Sequence, residues 1–176
     1  VLDEPLKTFG ISADLRLRLP GRARYRSKDQ IGIGLQFTND KTGVLDFSTT
    51  QIALSAAYHK ALDQAGKQFL SAGIQYGLTQ RNVNYGSLQF HDEFDGLNGY
   101  NLATHEVLPE NNFSYNDFST GLNYSGHFEN GYGLYVGAAY HHFLSPSVSF
   151  YNGSAEGQTL YPKLSVQAAT QIPIMM

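Results

Sequence analysis

The chain has 176 residues, 13% of them aromatic, with no cysteine and a formal net charge of −3. The missing cysteines exclude disulfides, thiol catalysis and Cys-based zinc sites, and 12 Lys+Arg against 15 Asp+Glu give no basic field of the kind nucleic-acid binders use. No run of about 18 apolar residues occurs, which excludes a transmembrane helix but not membrane strands, whose hydrophobicity alternates.

The first predicted strand, 8–19, reads TFGISADLRLRL. Phe9, Ile11, Ala13, Leu15, Leu17 and Leu19 take the odd positions, while Asp14, Arg16 and Arg18 fall on even ones. Successive strand side chains point to opposite faces, so this strand is oily on one side and charged on the other. The chain opens on VLDEPLKTF without an initiator Met, and is expected to begin inside a longer precursor or a mature protein. The following PGRARYRSKD carries Arg22, Arg24, Arg26 and Lys28, and reads as a solvated turn or a docking patch for an acidic periplasmic partner.

The second strand, 30–38, sets Ile31, Ile33, Leu35 and Phe37 against Gly32, Gly34, Gln36 and Thr38. A longer link, NDKTGVLDFST, is expected next. Strand three, 50–61, opposes Ile52, Leu54, Ala56 and Tyr58 to Gln51, Ser55 and His59, and the short LDQAGK leads on. Strand four, 68–82, places Leu70, Ala72, Ile74, Tyr76 and Leu78 over Ser71, Gly73, Gln75, Gly77 and Thr79. The connection 83–113 is long enough to be functional, and Tyr85, Phe90, Phe94, Tyr100 and Phe113 make it a candidate partner-binding loop.

Strand five, 114–125, has Phe118, Thr120, Leu122 and Tyr124 on one face and Ser119, Gly121, Asn123 and Ser125 on the other. After the tight HFENG, strand six, 132–143, alternates Tyr132, Leu134, Val136, Ala138 and Tyr140 with small or polar residues and ends on His141–His142. The linker LSPSVSFYNGSAEGQT precedes strand seven, 161–172, where Leu164, Val166 and Ala168 oppose Lys163, Ser165 and Gln167.

Period-2 alternation throughout, with short and long connections alternating, predicts an all-β, up-and-down antiparallel transmembrane barrel in a single domain over 1–176. A strand of about 11 residues rising ~3.3 Å each, tilted ~40–45°, crosses roughly 25 Å of membrane. Aromatics near strand ends (Phe9, Tyr25, Phe37, Tyr58, Phe118, Tyr132, Tyr140, Phe143, Tyr161) suit a girdle at the lipid interface. The lumen-facing candidates are then Asp14, Arg16, Arg18, Gln36, Gln51, Gln75, Asn123, Lys163 and Gln167. Seven strands are odd in number, so this chain is expected to contribute to a larger barrel of about 12–14 strands. A soluble ligand-binding β-barrel would show the same periodicity with its faces reversed.

No catalytic, metal or cofactor site is expected. There is no G-x-S-x-G elbow, adjacent strand histidines cannot easily share a metal, and HDEFDGLNG lacks the spacing and terminal Glu of an EF-hand.

The segment IGIGLQFTNDKTGVLDFSTTQIALSAAYHKALDQAGKQFLSAGIQYGLTQRNVNYGSLQF resembles the PorP/SprF family of type IX secretion system outer-membrane proteins. The likeness rests on Gly32 and Gly34, Asn39–Lys41 with Gly43, Tyr58–Lys60 with Leu62, Leu70–Gly73 with Gln75 and Gly77, and Leu88 with Phe90. FSYNDFSTGLNYS and YVGAAYHHFLSPSVSF are similar to the same family. This resemblance implies an outer-membrane protein of protein export and gliding motility, without enzymatic activity or cofactor. It implies three partners: a secreted surface adhesin with a type IX sorting domain, periplasmic ring or motor components of the secretion machinery, and outer-membrane lipid. A passive outer-membrane porin is the alternative reading.

Overall fold

A computed structural model describes residues 6–19, 28–43, 46–97, 99–128, 131–151 and 158–173. Seven strands are described: β1 (Lys7–Arg18), β2 (Gln30–Thr42), β3 (Phe47–Ala61), β4 (Gln68–Asn82), β5 (Asn112–His127), β6 (Gly133–His141) and β7 (Lys163–Gln171). They form one antiparallel sheet in sequence order, each strand bonded to the next, and β1 does not pair with β7. The fold is therefore all-β and up-and-down, as the alternation predicts, with the sheet open at both edges.

The register keeps like with like. One continuous row runs Leu15, Ile33, Ala56, Ile74, Thr120, Tyr140, Leu164 across all seven strands. The row beside it, on the opposite face, runs Asp14, Gly34, Ser55, Gln75, Ser119 across β1 to β5. A slip of one residue at any pairing would mix the two faces.

Which face is shielded decides what kind of protein this is. On the apolar face, Leu15 is 58% exposed, Leu54 53% and Ile74 60%, whereas on the polar face Ala53 is 5% exposed, Ser71 8% and Thr79 3%. Along β5 the exposed residues are the even ones and the half-shielded residues the odd ones, from Phe113 to Asn123. The sheet therefore curls over its polar side. A water-soluble barrel curls the other way, around its apolar residues. No large side chain among the described residues is fully buried, so no hydrophobic core of the ordinary kind exists in them.

Two expectations need correcting. NDKTGVLDFST is not a long loop: β2 runs on to Thr42 and β3 starts at Phe47, because Asn39, Asp40 and Lys41 pair with Thr50, Thr49 and Ser48. The turn between them spans only 43–46, with positive φ at Gly43 and Asp46. Strict alternation of short and long connections fails as a result, since the link between β1 and β2 is longer than this one. Phe113 likewise lies in β5, paired with Arg81, rather than in the connection before it.

Candidate functional site: a polar trough and its two rims

The polar face forms a trough of about 730 Å³. Arg16, Gln75, Asn123 and Gln167 line it, together with His59, Ser71, Tyr135 and His141. Asp14, Gln36 and Gln75 line a smaller hollow of about 180 Å³ beside it. Arg18, Gln51 and Lys163 occupy the same face, opposite Gln30, Thr38 and His141 respectively. All nine polar candidates thus share one side of the sheet.

Glycine makes the close approach of these side chains possible. A methyl group at Gly34 would lie 2.5 Å from both Asp14 Oδ1 and Ser55 Oγ, so these two polar groups reach in from the flanking strands over bare backbone. At Gly137 the added carbon would lie 2.9 Å from Asn123 Oδ1 and 3.2 Å from Gln167 Nε2. Further along, His59 Nδ1 and Ser71 Oγ share a 2.7 Å hydrogen bond. Serine hydroxyls and Gln and Asn amides supply most of the polar groups of this lining, set among small and apolar residues and beside Arg16.

At the rim of long connections the polar face carries a cluster of aromatic rings. Phe150, from the connection between β6 and β7, packs edge-on against Phe113 with ring centroids 4.6 Å apart, and against Phe47 at 6.3 Å. Phe47 and Phe113 belong to β3 and β5, so this ring spans the strand between them. On that strand Arg81 sits over the Tyr115 ring at 5.8 Å. The connection is braced as it turns inward: Val148 N donates to Gln158 O, and Leu160 N donates to Pro146 O. His142, at positive φ just past β6, bonds Asp117 Oδ2 at 3.0 Å. His141 instead lines the trough, so the two neighbouring histidines serve different sites.

The connection 83–111 is a folded unit. Val83 N donates to Asn111 O, closing its base. Asp92 accepts from Thr104 Oγ1 and from the His105 amide, and these amide and hydroxyl donors hold its carboxyl below the usual carboxylate range. Asp95 accepts from the amides of Leu97 and Gly99. Both carboxylates thereby shape the loop, and among the described residues no group of three or more His, Asp or Glu side chains is arranged to hold a metal. Phe94 and Tyr100 bridge the loop through their backbones, with rings 5.4 Å apart. Phe90 and Tyr85 are half-buried. Sequence reading missed Leu97 and Val107, 90% and 94% exposed at the loop surface. Their signal was present as isolated apolar residues in an Asn- and Asp-rich run.

At the opposite rim, the β1–β2 and β3–β4 turns are bound together. Buried Asp29 accepts from Tyr58 Oη at 2.7 Å, Lys60 Nζ at 3.1 Å and the Ala61 amide at 2.9 Å. Lys28 Nζ donates to Ala65 O at 2.7 Å. Asp63 takes the amides of Gln68 and Lys67, which lowers its pKa. Arg22, Arg24 and Arg26 lie outside the described residues.

Comparison with curated proteins and with solved structures gives no match. A match does come from the family described as type IX secretion system membrane protein PorP/SprF, over residues 1–174. A β-meander that shields its polar face and bares its aliphatic one has the inverted burial of a membrane protein of strands, and by that match the chain belongs to the PorP/SprF family of type IX secretion system membrane proteins.

Proposed function

We propose that this chain forms part of the wall of an outer-membrane barrel which helps export or anchor one particular secreted adhesin at the cell surface. The inverted burial carries the reading: aliphatic side chains such as Leu54 and Ile74 face outward, where lipid would cover them, while Arg16, Gln75 and Gln167 face the trough. In this orientation the folded connection 83–111 stands on the outer side, offering Phe94, Leu97, Tyr100 and Val107 to the adhesin. The rim of Lys28 faces the periplasm, where ring or motor components of the machinery would dock.

Deleting residues 84–111 from the full-length protein tests the assignment. Display of the adhesin should be lost while the barrel still fractionates with the outer membrane. Unchanged display, with the shortened protein present in that membrane, refutes the partner role. A porin is the competing reading, and it predicts that the deletion alters only permeability.

A further inference from the structure

Lys7 and Lys41 are register partners across β1 and β2, and both are exposed. Both occupy odd positions, so they stand on the aliphatic face, one step beyond Phe9 and Asn39. Directly opposed like charges repel, with Cβ atoms about 5 Å apart, and such pairs are unfavourable unless something anionic lies between or over them. Nothing among the described residues does so. Among the described residues neither lysine has an ion pair: Asp40 points to the opposite face, and Asp46 sits in the turn. The same outward row continues through Ser48, Asn82 and Asn112, all hydrogen-bonding and none acidic.

Depth tells what would cover this pair. Just inside it, the Phe9 and Phe37 rings lie 6.2 Å apart at the end of the aliphatic band, as a girdle at the interface does. One strand step further out is the layer of lipid headgroups. The chain is acidic overall, at −3, so a pair of opposed cations on this face, without a counter-charge among the described residues, is a local feature and not a reflection of bulk charge.

We infer that Lys7 and Lys41 form a binding site for the phosphate of an outer-leaflet glycolipid, with Ser48 as the neighbouring hydrogen-bond donor. This inference rests on the membrane orientation proposed above. It adds a specific lipid contact at the outer rim, separate from the partner loop.

The test uses the full-length protein in neutral detergent, with bisphosphoryl lipid A as the probe and fully dephosphorylated lipid A as its control. The phosphorylated lipid should bind at least about tenfold more tightly. The Lys7→Gln/Lys41→Gln double variant should lose that preference, Lys7→Arg/Lys41→Arg should keep it, and Lys67→Gln on the opposite rim should leave it unchanged. Equal binding of the two lipids overturns the site. So does an undiminished preference in the double glutamine variant, or inorganic phosphate binding as tightly as the lipid. Fractionating the same cells separates this inference from its premise. Wild-type protein in the outer membrane without a phosphate preference defeats the site alone, whereas wild-type protein in the soluble fraction defeats the orientation and the site together.

Discussion

Leu54 lies near the middle of the bared face, paired with Leu35 on one side and Tyr76 on the other, and more than half of it is exposed. On the surface of a soluble protein, replacing such a residue by arginine changes stability by no more than about 0.5 kcal/mol. In a bilayer the same change buries a charge against hydrocarbon and costs about 2–4 kcal/mol near the midplane. Leu54→Arg in the full-length protein should therefore lower the denaturant midpoint of the lipid-reconstituted form by an amount equivalent to that loss, while Gln75→Arg, on the trough face, should be nearly neutral. Equal effects at the two positions would contradict the assignment of faces. This contrast was legible in the sequence, because the alternation of Leu70, Ala72, Ile74, Tyr76 and Leu78 with Ser, Gly and Gln fixes which residues share a side. What it left open was the direction of curl, since either face of an alternating strand can be the inner one. That came only from the shielding of Ala53, Ser71 and Thr79.

Among the elements, the connection between β6 and β7 departs most from what its composition suggests. SPSVSFYNGSAEG reads as an ordinary Ser- and Gly-rich loop, yet its Phe150 packs against rings from β3 and β5. Such contacts link positions far apart in the chain, as does the bond of His142 to Asp117, and no local pattern announces them. The strand ends were hard to read for a related reason. Asn39, Asp40 and Lys41 have turn-like chemistry, and only their partners Thr50, Thr49 and Ser48 draw them into the ladder. If Phe150 constricts the passage, Phe150→Ala in the full-length protein should raise single-channel conductance in planar bilayers by about twofold or more, with the membrane yield unchanged. Identical conductance would mean that this ring cluster braces the wall without narrowing the lumen.

At the scale of the whole molecule, the two edges dominate. Among the described residues β1 and β7 each present one row of backbone groups with no neighbouring strand, and an open edge is not tolerated within hydrocarbon. The full-length protein in proteoliposomes should accordingly protect the amides of β1 and β7 from hydrogen exchange as strongly as those of β3. Rapid exchange confined to the two outer strands would show that no further strands close the ring. The scarcity of fully shielded side chains carries a different consequence. A polypeptide whose greasy residues have only one another's backs to lean on gains little by collapsing in water. A bilayer, by covering those residues with hydrocarbon, is the solvent change that drives such a chain to take shape.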